Sequence, residues 1–265
     1  MDIDISGKTA LITGSTAGIG YAIAKGLALS GANVIVNGRK NEKVAKAAEE
    51  LGIEVGATLV RGVAADVSTA DGCAKLVEEA GDVDILVNNA GIFEPKDFFE
   101  IADADWTRFF EINVMSGVRL SRALMPAMLK KNWGRIVFIS SESAINIPKE
   151  MIHYGFTKTA QLSIARGLAE LTAGTGVTVN SVLPGPTLSD GIEDFLAGMA
   201  REHSTTLEYM AKNFVKDFRP GSLLQRFATV EEVANMVVYV SSKEASATNG
   251  AALRVEGGVV RACVG

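Results

Sequence analysis

The chain reads as a single doubly wound α/β domain, a parallel sheet with helices on both faces. Three observations carry that reading. Short β-branched runs alternate with helical stretches along the 265 residues, the pattern of parallel strands joined by helical crossovers. A glycine-rich turn, TGSTAGIG, stands between the first such run and the first helix. No Pro/Gly/Ser linker, composition break or internal repeat divides the sequence. With 48% hydrophobic and 22% charged residues it has material for a large core and not the composition of disorder.

In order, residues 8–13 (KTALIT) predict a first strand and 19–30 a helix. Residues 32–37 (ANVIVN) and 58–63 (TLVRGV) predict strands on either side of the Ala/Glu/Lys-rich helix 42–51. A short helix over 70–80 precedes the strongest strand, 84–88 (DILVN). Then come a long helix from about 105 to 131, a strand at 135–140 (RIVFIS) and a helix from about 154 to 172. Residues 177–183 (VTVNSVL) predict another strand, and a last helix near 230–241 precedes a strand at 251–255.

The formal net charge of −5 gives no electrostatic reason to expect nucleic acid. The start, MDIDISGKTALITG, opens on acids rather than a basic segment before a long apolar run, so no signal peptide is expected. No stretch of roughly 18 uncharged apolar residues predicts a membrane span. Two distant cysteines, Cys73 and Cys263, predict reduced thiols in a cytoplasmic protein, and with only His153 and His203 besides no metal site is expected.

Ligands of doubly wound folds bind at the carboxyl ends of the strands. There the first turn places Gly14, Gly18 and Gly20 in a Gly-x-x-x-Gly-x-Gly spacing, letting a pyrophosphate approach backbone N–H groups at a helix N-terminus. Tyr154 and Lys158 in HYGFTKTAQ lie four residues apart, hence on one helix face. A phenol near pKa 10 is a poor base, and a neighbouring ammonium favours its phenolate. Such a pair exchanges a proton with an alcohol or carbonyl, although the spacing alone is also that of an ordinary helix pair.

TGSTAGIG, NNAG at 88–91, a serine ahead of Tyr154 and Tyr154-x-x-x-Lys158, in that order over nearly the whole chain, resemble the classical short-chain dehydrogenase/reductase family. The resemblance implies a Rossmann-like, NAD(P)-dependent oxidoreductase, usually a homodimer or homotetramer. It makes Tyr154 the general acid/base and Lys158 its electrostatic partner and ribose ligand. Ser141 becomes the hydroxyl that binds the substrate oxygen, with Ser140 and Ser143 as close competitors, and Asn113 the support of a water-linked proton relay. The first turn (Gly14, Ser15, Thr16, Gly18, Ile19, Gly20), Asn88, Ala90 and Gly91, and Pro184, Gly185 and Thr187 become cofactor contacts. Asp66, with Val67 beside it, becomes the adenine ligand.

Cofactor choice turns on VNGRK at the end of the second strand. NAD enzymes carry an acid there for the ribose 2′-OH, and NADP enzymes an arginine for the 2′-phosphate. Gly38 occupies the acid's place, Arg39 and Lys40 follow, and no acid occurs before Glu42. NADP(H) is favoured. NAD(H) stays open, because a solvated turn also explains the two cations and Ala17 stands at the family's second basic position.

Segment 188–221 lies where the family carries its substrate lid; its Phe195, Leu196, Met199, Leu207, Tyr209, Met210, Phe214 and Phe218 suit a pocket wall or the lid's own packing. Glu142, Asn146, Ile147 and Met151 flank the catalytic pair, and His153 has no assigned role. The expected activity is interconversion of a carbonyl and a secondary alcohol. A 3-oxoacyl thioester, a sugar or a polyol all remain open as substrate, as does a nucleotide-binding regulator without turnover. Asn132 and Thr175 replace the basic docking residues of carrier-protein reductases, although Lys130, Lys131 and Arg135 are near. Leu120, Leu124, Met128, Leu162 and Ala165 fit a four-helix dimer interface and a core equally well.

Overall fold

Seven strands form one sheet, all neighbours parallel: β1 (Thr9–Ile12), β2 (Asn33–Gly38), β3 (Val60–Ala64), β4 (Ile85–Asn88), β5 (Gly134–Ile139), β6 (Val177–Pro184) and β9 (Ala252–Val255), in spatial order β3-β2-β1-β4-β5-β6-β9. The computed structural model describes residues 3–56, 60–189 and 191–263. Thr58 and Leu59, the expected start of the third strand, lie outside the described residues.

Side chains alternate across the pleat, which is why these strands are apolar throughout. On one face Ala10, Ile12, Val34, Val36, Ile85, Val87 and Val137 pack beneath α1 (Gly18–Leu29), α2 (Asn41–Val55) and α9 (Val230–Ser241). On the other, Leu11, Ile35, Leu86, Ile136, Phe138 and Val179 pack beneath α3 (Ala70–Ala80), α5 (Ser116–Lys131) and α6 (Ile152–Glu170). Leu120, Leu124, Met128 and Ala165 belong to this second core, so they serve packing within the chain.

The expected long helix is interrupted. α4 (Asp103–Phe110) passes through a wide π turn, Glu111–Met115, before α5 begins. Segment 188–221, read from sequence without defined elements, holds α7 (Ile192–Glu202) and α8 (Leu207–Phe218), the latter capped by Thr206, whose hydroxyl accepts from the Tyr209 N–H at 3.1 Å. Leu196, Met199, Met210 and Phe214 bury against one another there as a third apolar cluster. A short parallel ribbon, β7 (Thr187–Leu188) with β8 (Ala228–Thr229), ties the segment's ends together.

From β1 the chain builds outward to β2 and β3, then returns to β4 on the other side of β1. That reversal opens a crevice at the carboxyl ends of β1 and β4, the usual ligand position in such sheets.

Candidate active site

The first turn is compact because glycine makes it so. Gly14 and Gly18 have φ of +60° and +56°, conformations that favour glycine. A Cβ on Gly20 would meet the Gly14 carbonyl and stand 2.5 Å from Asn89 Nδ2. Ala17, the residue before α1, makes no side-chain cap bond, and Ile19 in the first turn of the helix lines the crevice. Asn89, missed from sequence although NNAG doubles its asparagine, donates from Nδ2 to the carbonyls of Thr13 (2.9 Å) and Gly14 (3.0 Å). The Thr13 hydroxyl accepts from the N–H groups of Asn89 and Ala90, both at 2.9 Å, which seats Ala90 against Gly14.

Ser15 departs from the expected cofactor contact. It is fully buried; its hydroxyl donates to the Ile12 carbonyl at 2.7 Å and accepts the Asn37 N–H at 3.0 Å. Its polar groups hold the turn to β2. Thr16 packs over Gly38, at the end of β2. Arg39 and Lys40 follow, both exposed and with no ion-pair partner among the described residues. Asp66 is exposed, one carboxylate oxygen accepting the Ser68 N–H at 3.0 Å, whereas the Val67 side chain is buried in the second core rather than the crevice. Asn88 turns toward α5, its Nδ2 donating to Ser121 Oγ at 3.3 Å.

Beside the turn lies a cleft of about 220 Å³ lined by Ile19, Gly91, Ser141, Tyr154, Lys158, Pro184, Gly185 and Thr187 among the expected residues. Phe93, Phe195 and Phe214 make an aromatic wall, their rings meeting edge-on at 5.7 and 5.6 Å. Phe93 also meets the Tyr154 ring, at 6.3 Å. Glu142 and Met151 reach the cleft; Asn146 and Ile147 are exposed outside its lining, and His153 is buried against Phe109.

The three serines after β5 separate by partner. Ser140 donates to the Lys158 carbonyl at 2.9 Å, and Ser143 Oγ donates to Glu142 Oε1 at 3.2 Å. Ser141 Oγ accepts the Ser143 N–H at 3.1 Å, which leaves its proton to donate; it lines the cleft with Tyr154 and draws the phenol's pKa down against burial. Ser141 is thus the hydroxyl presented beside Tyr154.

The electrostatics differ from the expectation that Lys158 draws the phenol down. Burial pushes Tyr154 up to about 12, the Ser141 hydrogen bond opposing and the Glu142 charge adding to the rise. Burial also pulls Lys158 down to about 7. Its Nζ lies 5.6 Å from the Tyr154 ring centroid and donates to the Ile139 carbonyl at 2.8 Å. An ammonium that is itself half-discharged near neutrality has little charge to lend.

Asn113 sits in the π turn, buried. Its Oδ1 accepts the Ile92 N–H (2.8 Å), and its Nδ2 donates to the Ile92 carbonyl (2.9 Å) and to Thr157 Oγ (3.0 Å). Gln161, another residue missed from sequence, donates from Nε2 to the Asn113 main-chain oxygen at 2.6 Å and accepts from Lys158 Nζ at 3.4 Å. Its place three residues after Lys158 on the same helix face was the available signal. Asn113, expected to support a water-linked relay, and Lys158 are therefore joined through the Gln161 amide.

A nicotinamide dinucleotide fits these residues: a glycine turn leading into α1 for pyrophosphate, side-chain-free Gly91 within 3.6 Å (from an ideal Cβ) of Lys158 Nζ, and two exposed cations after β2 without an ion-pair partner among the described residues. The family model described as short chain dehydrogenase matches residues 8–199. The chain belongs to the short-chain dehydrogenase family. It is an oxidoreductase of that family, 50% identical over 261 residues to the uncharacterized oxidoreductase YvaG of Bacillus subtilis, covering 98% of this chain and 99% of the relative. It is 34% identical to a 3-oxoacyl-(acyl-carrier-protein) reductase of Aquifex aeolicus, over 98% of this chain and 100% of that one. The L-sorbose reductase of Gluconobacter frateurii, solved with NADPH and L-sorbose, superposes with a TM-score of 0.92 at 33% identity, over 99% of this chain and 100% of the other.

Proposed function

We propose that the protein is an NADP(H)-dependent oxidoreductase that interconverts a carbonyl and a secondary alcohol. The observation that carries the reading is that Ser141, Tyr154 and Lys158 line one cleft, with Lys158 half-discharged one turn from the phenol. When bound, the nicotinamide supplies or accepts the hydride. The chain aligns the substrate and controls its proton. Ser141 donates to the substrate oxygen, and Tyr154 gives that oxygen a proton in reduction and takes it back in oxidation. The phenol's high resting value keeps it protonated, the form reduction needs. Lys158, able to gain or lose a proton near neutrality, restores the phenol.

For the cofactor, the Gly14–Gly20 turn and the start of α1 suit the pyrophosphate, Thr187 the carboxamide, and Ile19 the ring. Arg39 and Lys40 suit a 2′-phosphate, which a guanidinium grips with paired hydrogen bonds. The NADPH bound by the sorbose reductase supports the same choice. The 188–221 segment serves as the lid, contributing Ile192, Phe195, Phe214 and Arg219 to the cleft.

Docking of an acidic carrier protein has little support. Arg135 is buried and spends its guanidinium on the carbonyls of Gly134, Gly176 and Ser242, while Lys131 pairs with Asp82 and Asp84. A homodimer through α4 and α6 is supported by exposed Phe110 and Phe156, stacked 6.5 Å apart; light scattering tests it.

The decisive experiment is a panel of ketones and alcohols with NADPH and NADP⁺, read by nicotinamide absorbance, on the native chain and Tyr154→Phe. Turnover lost in the variant with NADPH binding retained is expected. Cofactor binding without turnover across the panel would instead identify a regulator, and an active Tyr154→Phe would remove Tyr154 from the chemistry.

A further inference from the structure

The cleft contains a buried ionisable cluster that proton and hydride handling leave unused. Glu142, next in sequence to Ser141, is 3% exposed and lines the cleft. Arg219, at the end of α8 and 8% exposed, donates from Nε to Glu142 Oε1 at 3.0 Å and from Nη1 to Glu150 Oε1 at 3.3 Å. Ser143 donates to the same Glu142 oxygen. Glu142 Oε2, by contrast, is buried and has no hydrogen-bond partner among the described residues. A buried carboxyl oxygen without a partner is costly, and such groups are rare unless something outside the chain completes them.

Completion by substrate is the economical account. Ser141 fixes where the reacting oxygen lies, and Glu142, its sequence neighbour, lines the same cleft. Burial raises the Glu142 pKa and Arg219 opposes the rise; the carboxyl accepts a hydrogen bond if ionised and also donates one if protonated. A hydroxyl can answer either form, whereas the CH₂ groups flanking the ketone of a 3-oxoacyl thioester answer neither.

We infer that Glu142 reads a hydroxyl on one of the two carbons beside the reacting carbonyl, so that the site takes hydroxyketones and their diols, the chemistry of ketoses and polyols. The inference rests on the carbonyl–carbinol reading of the site above.

The test compares kcat/KM within two pairs in which a methyl replaces the hydroxyl: 3-hydroxy-2-butanone against 3-methyl-2-butanone, and 1-hydroxy-2-propanone against 2-butanone. A preference for the hydroxyl of about 10- to 100-fold in at least one pair is expected, the worth of one hydrogen bond to a charged group. Glu142→Met should bring that ratio close to one; because the readout is a ratio, a general loss of activity cancels. The native ratio stands by itself if the variant does not fold, as judged by circular dichroism. Equal use of both members of both pairs overturns the inference and leaves carbonyl reduction standing. A preference that survives in folded Glu142→Met also overturns it. Failure to turn over any ketone or alcohol overturns the activity itself.

Discussion

Replacing Lys158 by methionine isolates the proton that this lysine loses on folding. Lys158 is 5% exposed, and its ammonium has an amide and a carbonyl for partners rather than a carboxylate. Burial therefore brings it from 10.5 to about 7. At about 1.36 kcal/mol per pH unit, that gap is roughly 5 kcal/mol against the charged form. The sign follows from proton counts. Between about pH 7 and 10.5 the unfolded chain holds this proton and the folded chain does not, so unfolding takes up a proton and stability rises with pH. Lys158→Met lacks the linkage, and other titrating groups cancel between the two proteins. The native chain's stability relative to the variant should therefore climb by about 2–3 kcal/mol from about pH 7.5 to 9.5. Urea unfolding followed by far-UV circular dichroism, at one protein concentration across that range, measures it. A difference that stays flat would show that Lys158 remains charged in the folded protein and would refute its role as a neutral-range proton carrier.

Three other substitutions test separate parts of the structure. Gly20→Ala pushes a Cβ into the Gly14 carbonyl and to 2.9 Å from Ser15 Cα, backbone that cannot swing aside, so a loss of about 2–4 kcal/mol and weaker cofactor binding are expected by denaturation and fluorescence titration. Arg39→Ser should raise KM for NADPH by about 10- to 100-fold and leave that for NADH nearly unchanged, since only a 2′-phosphate engages the guanidinium. Arg135→Met strands the Gly176 and Ser242 carbonyls at the end of the sheet remote from the cleft, costing about 1–3 kcal/mol in chemical denaturation with kcat unaltered.

What the sequence disclosed is what local pattern determines. Leu11 and Ile12 go to opposite faces of one strand, and both read as strand because each face has its own helical layer. Tyr154 and Lys158 share a helix face by spacing alone, and both reach the cleft. Ser15 was misread because membership in a glycine turn does not say whether a hydroxyl faces ligand or backbone; its bonds to Ile12 and Asn37 turn it inward. The link from Arg219 to Glu142 crosses 77 residues and leaves no local trace. Nor does sequence spacing report burial, which sets Lys158 near neutrality and overrides the expected effect on Tyr154.

The wide turn at Glu111–Met115 has a consequence for how this segment tolerates length change. An i→i+5 turn is wider than an α turn and takes up one extra residue. With about 100° per α residue, four regular residues would cover about the rotation that five cover here. Deleting one position there would regularise the helix and leave α4 in phase with α5. Phe109 would keep its place 4.1 Å centroid to centroid from His153, and Lys96 its 2.7 Å pair with Asp105. What would move is Asn113, which sits in the widened turn and faces Ile92 and Thr157. The deletion would pass unnoticed by both helices and be felt in the site between them.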